Sequence, residues 1–235
     1  MFQIPSQTQV KVLPGCYEES NLAPRAPAVP ILDFSQSMSA HAPELPHVWS
    51  RMVAALSRRT TERLQIELAC CVFDTHVLLQ DYAPLPFYLE TPLSFSGGGI
   101  TSLGAALLTV IDATRRRRQL LADDGIHCRP AICPVVTDGY ATDRATLVDA
   151  LREMHVSQHK REMQFVFLAP DKDCMPQLRS VFHCDPISLD EISFDQLFEA
   201  LTRSLSTYSC SQIGYEPEPR RLLLEELRGR DTEAE

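Results

Sequence analysis

The feature that most constrains the fold is a series of short apolar runs that alternate with amphipathic segments. Runs at residues 29–33, 65–74, 131–137 and 163–169 have the length and composition of buried strands. In the segments between and after them, apolar residues recur every three or four positions, which predicts helices over residues 45–56, 103–114, 143–155 and 194–205. Strands that are apolar on both faces need helices on both sides of the sheet. The sequence therefore predicts an α/β fold with a doubly wound, Rossmann-like, mainly parallel sheet.

Other segments refine this organisation. Residues 76–80 follow an Asp74-Thr75 turn and can return beside the strand at 65–74, so we expect one antiparallel strand at an edge of the sheet. Residues 1–26 form an aperiodic N-terminal arm that is expected either to add an edge strand or to remain partly loose. The single folded domain is predicted over residues 27–212. A charged C-terminal tail follows over residues 213–235, and its leucines at 222–227 can form a short helix.

The charge of the chain argues against nucleic acid as a partner. Its formal net charge is −9, whereas a phosphate backbone attracts surfaces rich in lysine and arginine. Four consecutive arginines at residues 115–118 lie near the end of a predicted helix, where cations suit the helix dipole. We interpret them as a solvated helix end rather than as a binding patch. The apolar stretches are too short to cross a bilayer, so no membrane insertion is predicted.

The eight cysteines point to a reducing compartment. They are scattered without a CxxC pair, which argues against a zinc ribbon or a small disulfide scaffold. Cys70, Cys71 and Cys133 lie within the apolar runs and are expected to be buried, reduced thiols. Cys16 follows a sequence that resembles a lipoprotein cleavage box, but the residues before it supply no apolar signal core. The sequence therefore predicts a cytoplasmic protein.

Polar side chains stand at the points where the strands are expected to end. Asp33, Ser35 and Ser37 follow the first strand, Asp138 follows the strand at 131–137, and Thr101 comes after three consecutive glycines, residues 97–99. Ligands in doubly wound sheets collect at the carboxyl ends of strands, so we expect these groups to converge. All of them are oxygen donors. Two carboxylates with several hydroxyls suit a hard cation such as Mg²⁺, which keeps several waters.

At these positions the sequence resembles the von Willebrand factor A domain family. The metal-ion-dependent adhesion site of that family has the pattern DxSxS, then a threonine, then an aspartate. Asp33, Ser35 and Ser37 match the first element, Thr101 the second and Asp138 the third. The stretches FSGGGITSLGAAL (95–107) and VTDGYATD (136–143) look most like the TerY-like branch, which is associated with tellurium resistance and stress response. The resemblance covers about residues 28–212.

The resemblance implies a metal-dependent adaptor rather than an enzyme. The three hydroxyls would bind Mg²⁺, or Mn²⁺ or Ca²⁺ in its place, while the two carboxylates act directly or through water. An open coordination position would accept an Asp or Glu of a partner protein, in bacterial stress or tellurite-resistance signalling. The residues expected to contact the partner are Gln36, Gly99 and Tyr140.

Two positions depart from the family pattern. Gln36 stands between the two serines, where the family usually has a glycine, and Ala40 stands where a glycine is common. Gln36 either crowds the open coordination position or donates a hydrogen bond to the partner.

Each site residue also has a purely structural interpretation. Ser35 and Ser37 can cap a helix, Thr101 or Ser102 can cap the next one, and Asp138-Gly139 is a common turn pair. We favour the metal site because independent caps have no reason to converge at one edge of a sheet. The following aspartate, Asp143, is interpreted as the N-cap of the helix that it precedes.

Two other functions fit parts of the pattern. In a haloacid-dehalogenase-like phosphatase Asp33 would be the nucleophile, but Ser35 then stands where that chemistry needs a general acid, and a hydroxyl cannot protonate a leaving group as a carboxylic acid can. A structural subunit with the same fold and no metal is the third alternative.

Overall fold

The computed structural model describes residues 8–13, 22–41, 45–58, 65–90, 98–190, 192–212 and 214–228. Within them, eight strands form one sheet: β1 (Val10–Leu13), β2 (Arg25–Ala28), β3 (Ile31–Asp33), β4 (Gln65–Phe73), β5 (Val77–Pro84), β6 (Ala131–Val136), β7 (Met163–Ala169) and β8 (Ile187–Ser188). The strand order is β1-β5-β4-β2-β6-β7-β8, and β3 also lies between β4 and β6. Most neighbours are parallel, which confirms the predicted doubly wound α/β fold.

Strands β2 and β3 follow one another along the same path through the centre of the sheet. Both pair with β4 and with β6, in parallel. The break between them falls at Val29 and Pro30, whose main chains still bond to the neighbouring strands: Val29 N donates to Ile132 O at 2.9 Å, and Cys71 N donates to Pro30 O at 3.0 Å. The central strand therefore starts earlier than predicted, and the expected boundary between residues 26 and 27 falls inside β2.

The antiparallel edge of the sheet contains two strands, β5 and, outside it, β1. Strand β5 runs antiparallel to β4 after the turn at residues 74–76, as expected. Strand β1 then pairs with β5 in parallel, with Val10 opposite Val77, and covers its outer side. Part of the N-terminal arm is thus an edge strand, which was one of the two outcomes expected for it.

Helices cover both faces of the sheet. Their bounds are α1 (Leu45–Ser57), α2 (Leu85–Glu90), α3 (Leu103–Asp123), α4 (Arg144–His159), α5 (Met175–Phe182), α6 (Phe194–Cys210) and α7 (Pro219–Arg228), with a 3₁₀ helix over Gln36–His41. Buried side chains of α1, α2, α6 and α7 form one apolar core with the sheet, and those of α3, α4 and α5 form a second. Within the described residues, no helix combines the length and apolar character needed to cross a membrane.

The arginine run is not a solvated helix end. Helix α3 continues to Asp123, so residues 115–118 lie within it. Three of these arginines face carboxylates, and Arg118 donates to the Arg129 carbonyl at 2.6 Å. Arg115 donates to Glu153 at 2.7 Å and to Glu162 at 2.9 Å, while Arg117 is 5% exposed and donates to Glu67 at 2.8 Å. The sequence could not show these partners, because they are between 38 and 50 residues away along the chain.

The C-terminal tail docks on the domain as far as Arg228. Its predicted short helix is α7, which buries Leu222 and Leu223 in the same core as α6. Just before it, the Glu216 carboxylate lies 3.3 Å from the Arg129 guanidinium, and each of these side chains is 4% exposed. Residues 229–235 lie outside the described part of the chain.

Candidate metal site

The first candidate residues sit in the turn that follows β3. Asp33 ends the strand and is 4% exposed. Its Oδ1 accepts the main-chain N–H of Ser35 at 2.9 Å, and its Oδ2 accepts the Thr137 hydroxyl at 2.6 Å. The turn places the hydroxyls of Ser35 and Ser37 3.2 Å apart. The two serines therefore project from the same turn that fixes the Asp33 carboxylate.

The second carboxylate meets this turn from the neighbouring strand. Asp138 follows β6, is 6% exposed, and its Oδ2 accepts the Ser37 hydroxyl at 2.6 Å. Its Oδ1 accepts the main-chain N–H of Tyr140 at 3.0 Å. Four of the five predicted ligands, Asp33, Ser35, Ser37 and Asp138, thus form one connected group.

The loop that carries Thr101 lies directly against the serine turn. Gly98 N donates to Phe34 O at 2.9 Å, and Gln36 N donates to Gly99 O at 3.2 Å. Thr101 is 6% exposed. Its carbonyl accepts both the N–H and the hydroxyl of Thr142, at 2.9 and 2.8 Å. The structure therefore joins the Thr101 loop to the two segments that carry the carboxylates.

Asp143 caps a different helix from the one predicted. It stands just before α4 but its side chain caps nothing there. Instead its carboxylate accepts the N–H groups of Gly104 at 3.1 Å and Ala105 at 2.8 Å, in the first turn of α3. Burial raises the pKa of Asp143, although these N–H donors act in the opposite direction. Asp143 thus fixes the start of α3, and with it the position of Thr101.

Helices α3 and α4 also touch through their main chains beside this cap. A Cβ atom at Gly104 would overlap with the main chain of Leu147. The absence of a side chain at Gly104 therefore allows the first turns of the two helices to meet, directly after the Thr101 loop and the Asp138 loop.

Two of the glycines before Thr101 have main-chain angles that favour glycine. Gly98 and Gly99 have φ angles of +132° and +97°, which side-chain-bearing residues rarely adopt. A Cβ at Gly99 would collide with the Thr75 hydroxyl, which accepts the next main-chain N–H, that of Ile100, at 3.1 Å. Gly97 lies outside the described residues.

The two carboxylates of the site lack a neutralising cation among the residues that the structure describes. Asp33 and Asp138 accept hydrogen bonds only from hydroxyls and main-chain N–H groups there. Burial raises the pKa of Asp33 from 3.8 to about 6, the nearby Asp138 charge adds to this, and the bonds from Thr137 and Ser35 oppose it. This arrangement fits a cation, because a positive ion would compensate charge that the protein has removed from water.

The donor set limits which cation could fit. Across the described ranges, no three His, Cys, Asp or Glu side chains cluster in a way that could hold a metal. A cation at this edge would therefore depend on hydroxyl oxygens in addition to the two carboxylates. Oxygen-only donors of this kind favour Mg²⁺ or Mn²⁺ over the softer metals that prefer thiolate or imidazole.

The residues expected to contact a partner lie at the surface of the same edge. Gln36 and Gly99 are exposed, and Tyr140 is 60% exposed. Ile100, between Gly99 and Thr101, is 52% exposed at the same edge and was not among the predicted contact residues. Its apolar side chain resembled a core residue in the sequence, and only the loop geometry shows that it faces solvent.

Comparisons of the sequence with protein-family models and with curated proteins find no match. Comparison of the structure finds likeness to several solved proteins at low sequence identity. The pilus adhesin SpaC from Lactobacillus rhamnosus GG, in its open conformation, has a TM-score of 0.57 and 10% identity over 83% of this chain and 31% of its own. A von Willebrand factor type A protein from Catenulispora acidiphila has a TM-score of 0.52 and 13% identity over 79% of this chain and 43% of its own.

A third likeness covers an isolated domain. The vWF domain of the type V pili tip protein Mfa5 from Porphyromonas gingivalis has a TM-score of 0.51 and 9% identity, over 82% of this chain and 98% of its own. The chain has the von Willebrand factor A fold. The resemblance seen in the sequence is confirmed at the level of the fold. The chain spans less than half the length of the first two proteins.

The close approach of Thr75 to Gly99 predicts that a side chain at position 99 lowers the stability of the protein. Gly99→Ala should lower the free energy of unfolding more than Gly125→Ala, since both glycines have positive φ but only the Cβ at position 99 meets another atom. We expect about 1–2 kcal/mol at position 125 and about 1 kcal/mol or more beyond that at position 99. Urea denaturation measures both. Adding Thr75→Ala should recover part of the Gly99→Ala loss, and equal losses at positions 99 and 125 would contradict the described loop.

The buried Asp33 predicts how the metal-free protein responds to pH. Because its pKa is higher in the folded state than in the unfolded chain, the free energy of unfolding should fall as pH rises from about 4 to about 6. Asp33→Asn carries no charge and should avoid this loss. In EDTA at pH 8 the variant should be more stable than the parent protein, by up to about 3 kcal/mol. Below pH 4 the two should converge in thermal melts, and a parent that is the more stable at pH 8 would refute this.

Proposed function

We propose that this A-type domain binds a divalent cation, Mg²⁺ or Mn²⁺, and uses it to hold an acidic side chain of a partner protein. The proposed ligands are Asp33, Ser35, Ser37, Thr101 and Asp138. The observation that carries the proposal is the pair of buried carboxylates, Asp33 and Asp138, which are linked through Ser35 and Ser37. Among the described residues, no positive side chain forms an ion pair with either of them. The function is binding, and no turnover is proposed.

The hydrogen bonds of the site leave lone pairs available. The Ser37 hydroxyl donates its proton to Asp138, so its own oxygen can still bind a cation. Each Asp33 oxygen accepts one bond and keeps a second lone pair, for direct coordination or for a bound water. When bound, the cation would supply a Lewis-acidic centre for a carboxylate from outside.

The charge of the domain supports the need for a metal in this interaction. With a formal net charge of −9, the chain repels an acidic partner at long range, and a partner carboxylate would also meet the two buried aspartates. A bound divalent cation would neutralise the two carboxylate charges and present a positive centre to the partner carboxylate. Gln36, Gly99 and Tyr140, together with Ile100, would then contact the residues around the partner's Asp or Glu.

The biological setting is proposed from the sequence resemblance. The stretches at 95–107 and 136–143 favour a TerY-like protein in bacterial stress response or tellurite resistance. The cytoplasmic location rests on the thiols. The seven cysteines among the described residues are free, and Cys70, Cys71 and Cys133 are buried in the core.

Metal binding should stabilise the protein. Because a ligand that binds the folded state raises its stability, millimolar Mg²⁺ or Mn²⁺ should raise the melting temperature by roughly 5–10 °C if it reaches about a hundred times Kd. The double variant Asp33→Ala/Ser35→Ala should abolish the rise. Asp171→Ala removes an exposed carboxylate from the loop after β7, outside the proposed ligand set, and should keep the rise.

Two results would favour the alternatives. The absence of any metal effect at millimolar concentration would reject the proposed site and favour a metal-free structural subunit. Phosphatase turnover that disappears in Asp33→Asn would favour the haloacid-dehalogenase-like chemistry. Assays with a general phosphatase substrate should therefore accompany the melts.

Partner binding should depend on the metal. The immobilised protein should capture its partner from an extract of the source organism in Mg²⁺ but not in EDTA, and Asp138→Ala should prevent capture in both. Tyr140→Ala should weaken capture while it leaves the metal-induced rise in melting temperature intact, since its exposed ring is outside the ligand set. Recovery of the same partners in EDTA would contradict the proposal.

A further inference from the structure

Thr137 connects the two carboxylate segments through one hydroxyl group. It follows the last residue of β6, immediately before Asp138, and it is 0% exposed. Its Oγ1 donates to Asp33 Oδ2 at 2.6 Å and accepts the main-chain N–H of Gly139 at 3.1 Å. A single hydroxyl therefore bonds both to a proposed ligand and to the turn that contains the other carboxylate.

These bonds fix the orientation of the Asp33 carboxylate. Ser35 N–H holds Oδ1 and the Thr137 hydroxyl holds Oδ2, so both oxygens are restrained and rotation of the carboxylate plane is opposed. Each of these two bonds uses one lone pair of the oxygen that accepts it. Residues that bond to ligands in this way commonly change metal affinity by about 10–100-fold when they are removed.

The structure also explains why the Thr137 side chain must accept as well as donate. Gly139 has a φ of +82°, and its N–H turns back to the Thr137 hydroxyl at the start of the loop. Loss of the hydroxyl would leave this N–H without its acceptor and Asp33 Oδ2 without its donor. The two carboxylate segments would then be held together by fewer bonds.

We propose that Thr137 is a positioning residue of the cation site, whose hydroxyl sets the metal affinity by orienting Asp33 against the Asp138 turn. This inference rests on the proposed function, because it concerns the same cation. It assigns a role to a residue outside the five proposed ligands.

The test compares four variants for Mn²⁺ affinity, which is measured by calorimetry and by the electron paramagnetic resonance signal of free Mn²⁺. Thr137→Val keeps the shape and removes the hydroxyl, and it should weaken binding about tenfold or more. Thr137→Ser should restore most of the affinity. Thr137→Cys keeps only a weak donor and should lie between them. The matched control is Thr114→Val, whose hydroxyl makes an equally buried bond, to Tyr82 at 2.8 Å, on helix α3.

Melts in EDTA separate positioning from a merely structural role. Thr137→Val and Thr114→Val should both lose stability, but Thr114→Val should keep the affinity of the parent protein for Mn²⁺. Equal affinity in Thr137→Val and the parent would overturn the inference while the proposed function stands. A parent that binds no Mn²⁺ would overturn both. If Thr137→Val does not fold, unchanged affinity in Thr137→Cys would also overturn the inference.

Discussion

The register between β3 and β6 determines what can assemble at the candidate site. The strands are parallel neighbours, with Leu32 opposite Val136, so their next residues are Asp33 and Thr137. The 2.6 Å hydrogen bond between those side chains follows directly from the pairing. A slip of one residue would turn one of the two to the opposite face of the sheet. The serine turn, the Asp138 turn and the Thr101 loop are all placed relative to this pair.

The protein treats its buried carboxylates in two different ways. Glu67 is enclosed by two arginines, with Arg25 at 3.1 Å and Arg117 at 2.8 Å, so its charge is compensated within the fold. Asp33 and Asp138 are almost as buried but are surrounded by hydroxyls and N–H groups, which satisfy their hydrogen bonds without supplying charge. Burying charge without compensation opposes folding. A cation is therefore expected at the edge of the sheet that carries Asp33 and Asp138, and not at the Glu67 cluster.

Local patterns predicted most of the fold, and contacts between distant segments account for what they missed. Apolar runs and three-to-four-residue spacing are properties of single segments, so the main strands and helices were predictable, as was the convergence of polar groups at the ends of parallel strands. The prediction that Asp143 caps α4 was wrong. Its side chain caps α3, and its partners there, Gly104 and Ala105, lie almost 40 residues earlier in the chain, where no local pattern could indicate them. The docking of the tail through Arg129 and Glu216 is a contact of the same kind. No spacing rule in the sequence reports such pairs.

The close approach of Gly104 to the main chain of Leu147 has a mechanical consequence. Helices α3 and α4 are locked together there, and the Asp143 cap ties the same point to the loop after β6. Thr101 and Asp138 are therefore mounted on one rigid half of the site. Asp33, Ser35 and Ser37 belong to the other half, whose turn leads into a short 3₁₀ helix. The two halves are joined by the hydrogen bonds of Ser37 to Asp138, of Thr137 to Asp33, and of the Thr101 loop to the serine turn. Any change of shape at this edge would therefore have to break those bonds first.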